Sequence, residues 1–432
     1  MDEPTKTVQP PILRFLFAGS VDDGKSTLMG RLFYDAQALP EDQIKQVAQF
    51  RTLSANQQPD FSLFTDGLAE ERKLGVTIDV AYRYFQTAQR KFIVADTPGH
   101  FQYMRNMFTG ASTADLVVFL LDVREGLVAQ THRHMYLAHL LQIPNWVLCM
   151  NKMDLVGYRK HEFEQKEQEV RRWVAQKFGR QSLEVLPISA LYGDNVVDRS
   201  MHMSWYDGRT LLEALEKTPL RAINTDLLRF SVQLDAKPSE TNNTLSQVIF
   251  GRVDSGILSV GDHLELWPEK RMGVVESIFI GQREFQQASA GMSVGLRGNW
   301  GIPMRRGHYL TNSERPFSVS RSPQATLCWL SEVPCNFSNS YLMKQGHSLY
   351  PITLQWVFDH EMSLFAPKKS QDSQVRRSEN DIFDVRILGN DRIIYDLYSL
   401  NRTTGSFILM HEDTFETCAA GFFVANEQQG IH

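Results

Sequence analysis

The stretch FLFAGSVDDGKSTLMGRLF, residues 15–33, restricts this chain more than any other. Apolar residues Phe15 to Ala18 run into a Gly/Asp/Ser turn, and an amphipathic pattern follows through Leu28, Met29, Leu32 and Phe33. The pattern reads as strand, tight turn and helix. The helix opens on Lys25, although a helix N-terminus carries partial positive charge and disfavours a cation. An anion held at that end resolves the conflict. GSVDDGKS, 19–26, fits G-x-x-x-x-G-K-[ST] throughout, in the strand–turn–helix setting the chemistry requires. Gly19 and Gly24 permit the turn, and backbone N–H groups of the loop and helix start surround phosphate. Lys25 is placed to reach the terminal phosphates, and the Ser26 hydroxyl to ligate Mg²⁺.

Further motifs follow in the order such a site needs. VADTPGH, 94–100, ends a buried strand on Asp96, suited to hold Mg²⁺ through a water, and Gly99 offers its N–H to a γ-phosphate. In NKMD, 151–154, Asp154 presents two acceptor oxygens to the N1–H and exocyclic amine of guanine. Adenine cannot satisfy both, and an unpaired buried carboxylate is costly. Asn151 contacts the ring and braces the loop, while Lys152 packs along the base plane. ISALYG, 188–193, brings the Ser189 and Ala190 backbone to guanine O6, with Leu191 next in the same loop. Thr77, in LAEERKLGVTIDVAYRYF, is suited to ligate Mg²⁺ and touch the attacking water; His100 is suited to orient that water. The expected ligand is GTP or GDP with Mg²⁺. The catalytic candidates are His100, Thr77 and Lys25, and the metal ligands Ser26, Thr77 and Asp96.

From residue 13 to about 217, apolar runs (RFLFAG, KFIVADTPG, LVVFLLDV, NWVLCMNK and a weaker EVLPIS) alternate with helical patterns such as HEFEQKEQEVRRWVAQKF. In that helix Phe163, Val170, Val174 and Phe178 recur at helical spacing. From Leu228 the texture becomes short alternating strands broken by Gly, Asp, Asn and Pro. The fold class expected is an α/β P-loop GTPase domain, 1–222, with a mainly parallel sheet and helices on both faces. Two antiparallel β-barrel domains, 223–318 and 319–432, follow it. The polar tract 366–381 lacks a hydrophobic face and is expected to be a mobile loop.

A net charge of −5 argues against a broad nucleic-acid footprint. The four cysteines show no metal-ligand spacing and fit a reducing cytosol. MDEPTKTVQPP is too polar and acidic for a secretory signal, and LVVFLL is too short to span a bilayer. The expectation is a cytoplasmic protein that binds neither nucleic acid nor membrane.

The motif order, with D-x-P-G-H and two trailing barrels, resembles the translation-factor class of GTPases typified by elongation factor Tu. GSVDDGKSTLMGRL, FTDGLAEERKLGVTIDVAYRYF, ADTPGHFQYMRNMFTGAST and NKMDLVGY look closer to one branch. That branch is the GTPase subunit of bacterial ATP sulfurylase (sulfate adenylyltransferase subunit 1, CysN). In the barrels GRVDSGILSVGDHLELWP and YDLYSLNRTTGSFILM carry a weaker likeness. The resemblance implies a partner, a smaller catalytic subunit of the CysD type, a PP-loop ATP pyrophosphatase. That subunit makes adenosine 5′-phosphosulfate and pyrophosphate from ATP and sulfate, driven by GTP hydrolysis on the large subunit. By the same resemblance Gly19, Asp22, Asp23, Gly24, Lys25, Ser26 and Thr27 line the phosphates, with Ser20 and Val21 in the loop. Thr77, Asp96, Gly99 and His100 form the switches, and Val21 and Val76 are the apolar pair flanking the histidine. Phe101 and Met104 depart from the branch pattern, where Glu and Thr are expected. No adenylylsulfate kinase domain of the kind fused to some relatives is expected before His432. Three alternatives stand beside this reading: a diverged paralogue serving a specialised sulfation pathway, a translation-type carrier of aminoacyl-tRNA, and a module holding GDP as a structural ligand.

Overall fold

The structure, a computed structural model, describes residues 11–39, 61, 81–96, 108, 110–180, 183–221, 224–236, 247–359 and 377–425. The chain divides into two compact units, Met1–Arg221 and Ala222–His432.

The first unit is built on strands β1 (Ile12–Ala18), β2 (Ala81–Gln86), β3 (Lys91–Asp96), β4 (Leu116–Asp122), β5 (Asn145–Asn151) and β6 (Glu184–Pro187), in the order β2-β3-β1-β4-β5-β6. All pairings are parallel except β2 with β3, so the antiparallel strand lies at an edge. β4 is buried at every position, which is why its sequence is a continuous apolar run rather than an alternating one. The longer helices of this unit are α1 (Lys25–Asp35), α2 (Ala129–Leu140), α3 (Lys160–Phe178) and α4 (Leu211–Lys217). On α3 the apolar positions Phe163, Val170 and Val174 are buried, and Phe178 packs edge-on to Trp146. Thr210 and Glu213 close a reciprocal capping box at the start of α4. Chain order reverses about β1, whose neighbours are β3 and β4, and the crevice beyond the carboxyl strand ends is where such sheets bind ligands. Ala18, Asp96, Asp122 and Asn151 all end strands at that edge.

The second unit holds two barrels. The first closes in the ring order His263–Trp267, Tyr309–Asn312, Arg229–Ala236, Gln247–Ser255, Ser293–Asn299 and Arg271–Ile280, which pairs again with His263–Trp267. Phe230, Val232, Ile249, Leu266, Ile278 and Leu296 fill it. The second ring runs Gln324–Trp329, Ile382–Gly389, Ser348–Asp359, Ser340–Gln345, Ser406–His411 and Thr417–Phe423, around Leu327, Trp329, Met343, Phe383 and Leu409. The described end of the polar tract, 377–381, is loop as expected, and it is packed. Arg377 is 5% exposed and bridges Cys335, and Asn380 N–H donates to Trp329 O at 2.8 Å. Backbone pairing onto the barrel wall, which polarity does not reveal, holds that end; 366–376 lie outside the described residues. Among the described residues no helix is long and apolar enough to cross a membrane.

Between the barrels a buried arginine is fully paired. Arg229, 0% exposed, forks onto Asp396 (Nε–Oδ2 2.9 Å, Nη2–Oδ1 2.7 Å). Its Nη1 donates to Arg315 O at 2.9 Å, and its guanidinium lies 4.1 Å from the Phe317 ring centre. Truncating one member of such a pair leaves the other charge buried and unpaired, which costs about 3–5 kcal/mol. Arg229→Ala is therefore expected to lower the unfolding free energy of the barrel unit by that amount, read as a fall in its urea midpoint. Arg229→Met with Asp396→Leu should recover much of the loss. An unchanged midpoint in Arg229→Ala would contradict the assignment.

Candidate nucleotide site

β1 delivers the chain into the loop 19–24, and α1 begins directly at Lys25. Gly24 has φ +92°, and a Cβ there would sit 2.6 Å from Asn151 Nδ2, so both backbone and space demand glycine. At Gly19 a Cβ would meet Leu120 O at 2.7 Å. The helix start has no side-chain cap and no acidic residue in its first turn, leaving its N–H groups to an external anion. Lys25 is buried and spans the loop, with Nζ donating to Gly19 O (3.0 Å) and Ser20 O (2.7 Å). Burial lowers its pKa, opposed by the charges of Asp23, Asp96 and Asp22. Asp96, 2% exposed at the end of β3, thus shares an electrostatic field with Lys25. Ser26, Thr27 and Val21 are half-buried, whereas Asp22 is exposed at the rim. Ser20 Oγ donates to Gln130 Oε1 on α2 at 3.2 Å.

The base-reading candidates converge from β5 and the segment after β6. Asn151 bridges three parts: Nδ2 donates to Asp23 O (2.8 Å), and Oδ1 accepts from Ala190 N–H (2.9 Å). It ties the phosphate loop to the 188–193 loop. Lys152 follows in the left-handed region (φ +65°), and its Nζ meets Asp122 Oδ2 at 3.0 Å. Asp154 is half-buried, and its Oδ1 accepts from Ser189 Oγ at 2.6 Å. Of the two amides expected at guanine O6, Ser189 N–H donates to Asp194 O (3.2 Å) and Ala190 N–H to Asn151. Each must be shared or freed as a base enters. Leu191 O accepts from Arg31 Nη1 at 3.3 Å. Thr77, Gly99 and His100, with Val76, Phe101 and Met104, lie outside the described residues.

Sequence reasoning missed two supports. Asp122 ends β4 and receives both Lys152 and Arg124 (Nη2–Oδ2 2.6 Å). Burial would raise its pKa, but hydrogen bonds from Arg124 and Lys152 prevail and bring it to about 2. It remains a carboxylate, and it fixes the lysine expected under the base. Arg31 is the other support: it pairs with Asp35 (2.7 Å) and lies against Gly193, where a Cβ would meet its Nη2 at 2.4 Å. The sequence signal for Asp122 was a strand-end aspartate before an arginine. For Arg31 there was none.

The strand, glycine loop and helix of residues 12–35 define a P-loop domain of the GTP-binding type. The family model for the elongation factor Tu GTP binding domain matches residues 10–221. Sulfate adenylyltransferase subunit 1 of Teredinibacter turnerae is 38% identical over 416 residues, covering 96% of this chain and 87% of that protein. The Cellvibrio japonicus protein of the same name is 39% identical over 420 residues, with the same two coverages. The bifunctional enzyme NodQ of Rhizobium tropici is 41% identical over 432 residues, covering 98% of this chain and 66% of that protein. The chain belongs to the sulfate adenylyltransferase subunit 1 family.

Proposed function

We propose that this chain is the GTP-hydrolysing regulatory subunit of a sulfate adenylyltransferase. It would work with a smaller catalytic subunit that forms adenosine 5′-phosphosulfate from ATP and sulfate. The observation that carries this reading is likeness to named first subunits over 96% of the chain, supported by hydrogen bonds that tie Lys25, Asn151 and Asp154 into one region suited to a guanine nucleotide. On this reading 1–222 is the GTPase domain, with barrels at 223–318 and 319–432.

The residue roles follow from position. The loop amides and Lys25 hold the phosphates; Asp154 takes guanine N1–H and the 2-amino group; Lys152, fixed by Asp122, lies along the base. The donor set fits Mg²⁺, a hard cation that takes few protein oxygens beside phosphate: the Ser26 hydroxyl at the helix start and buried Asp96 are such donors, with Thr77 as the third. Bound there, Mg²⁺ would neutralise charge on the β- and γ-phosphates. His100 orients the attacking water. The uphill step belongs to the partner, a PP-loop ATP pyrophosphatase of the CysD type, and the site lies in the cytoplasm.

Coupling predicts a rate effect. GTP turnover by the isolated chain should be slow and should rise ~10-fold or more when the small subunit, ATP and sulfate are all present. Turnover indifferent to them would remove the sulfurylase assignment and leave a GTPase.

A further inference from the structure

Asp22 and Asp23 are neighbours in the phosphate loop and sit in opposite environments. Asp22 is exposed. Asp23 is 4% exposed, and its Oδ2 accepts the Ser20 N–H at 2.5 Å. The same oxygen lies 3.0 Å from where a Cβ on Gly19 would stand, and the Asp122 backbone N–H also faces the carboxylate. The carboxylate therefore fills the space between the loop and the end of β4, while the Asp23 carbonyl takes Asn151 Nδ2. One residue joins the phosphate loop, the central strand and the base loop.

The charged groups around it come from each of these elements. Lys25 faces it from α1 and Lys152 from the base loop. Lys152 is shared with the Asp122 carboxylate, which also binds Arg124. Asp22 and Asp96 act on Lys25. His134 on α2 is held neutral beside Lys25, its pKa pushed down to about 3 by burial and by the charges of Lys25 and Arg133. Burial prevails at Asp23 over both lysines and both amides, and raises its pKa to about 6.

We propose that Asp23 is a positioning residue for the nucleotide phosphates, and that guanine nucleotide binding is accompanied by uptake of a proton on its carboxylate. This rests on the reading of the loop as a guanine-nucleotide site. The phosphates bring negative charge to the same Lys25 that offsets Asp23, and like charge nearby disfavours a carboxylate's ionised form. A ligand that raises a group's pKa binds its protonated form more tightly. The sign follows. Well below about pH 6 free and bound protein both carry the proton and affinity is flat. Above that the free protein loses it first, so affinity falls by up to ~10-fold per pH unit, then levels beyond the bound-state pKa.

The test is calorimetry of Mg²⁺·GDP binding near neutral pH in two buffers of different ionisation enthalpy, on the parent and Asp23→Asn. The asparagine keeps an oxygen for Ser20 N–H, and the titration of GDP itself is common to both proteins. The parent should take up about half a proton more than the variant. The variant's affinity should lack the fall above pH 6 and, at higher pH, equal or exceed the parent's. A purely structural brace would instead weaken binding in the variant at every pH. Equal proton uptake and parallel pH profiles would overturn the proposal; failure of the parent to bind GDP at all would overturn the guanine-nucleotide reading instead. Should Asp23→Asn not fold, the Asp23 carboxyl carbon can be followed by NMR in the parent, free and GDP-loaded. Its titration midpoint is expected to rise on binding, and an unmoved midpoint would sink the idea.

Discussion

Replacing His100 by alanine is expected to leave GTP affinity within a few-fold of the parent and to slow hydrolysis by ~10²–10⁴-fold. The split follows from where the binding groups lie. On the proposed reading the phosphates are held by the 19–24 loop, the uncapped start of α1 and Lys25, and the base by Asn151, Lys152 and Asp154. None of these needs the histidine. Hydrolysis needs a water held in line with the γ-phosphate as charge spreads over its oxygens, and a group acting there works only in the transition state. Single-turnover hydrolysis beside equilibrium binding, with the small subunit present, separates the two. A parental rate in His100→Ala would mean that the water is positioned another way.

Asp154→Asn should exchange the preferred base. On the proposed reading guanine N1–H and its 2-amine donate two charge-assisted hydrogen bonds to the carboxylate, each worth ~1.5–3 kcal/mol, so GTP should bind ~10²–10⁴-fold more weakly. Xanthine carries a 2-oxo group where guanine has an amine, and the new amide donates to it while its oxygen keeps N1–H. The Ser189 hydroxyl, now 2.6 Å from Asp154 Oδ1, can hold the amide oxygen in the same place. Competition between GTP and xanthosine triphosphate measures the change. Unaltered preference for GTP would show that NKMD does not read the base.

What the sequence revealed and what it hid divide by range. β4 and β5 were readable because burial on both faces forces continuous apolar runs, and α3 because one face must be apolar at helical spacing. The phosphate loop was readable because Gly24 answers a local demand, positive φ, together with a close approach by Asn151. Hidden were the features that depend on residues far apart. Arg229 and Asp396 are 167 positions from each other, and no local pattern announces a buried pair between two barrels. Asp22 and Asp23 are identical letters in one motif, yet one is exposed and the other buried against β4, a distinction only the tertiary fold makes. The same holds for Ser189 and Ala190, whose amides find acceptors within the protein. Polarity marked 377–381 as loop, and the structure adds backbone pairing with Cys335 and Trp329 that polarity does not reveal.

On the proposed reading GTP hydrolysis at this site drives sulfate activation on a partner. The most direct measurement is adenosine 5′-phosphosulfate formed by the reconstituted pair from ATP and sulfate, with GTP, GDP or a non-hydrolysable GTP analogue, while GTP consumption is followed in the same tube. Product should accumulate beyond the level reached with GDP or the analogue only when GTP is consumed, and both quantities should fall together in His100→Ala. Equal accumulation with GTP and GDP would contradict it.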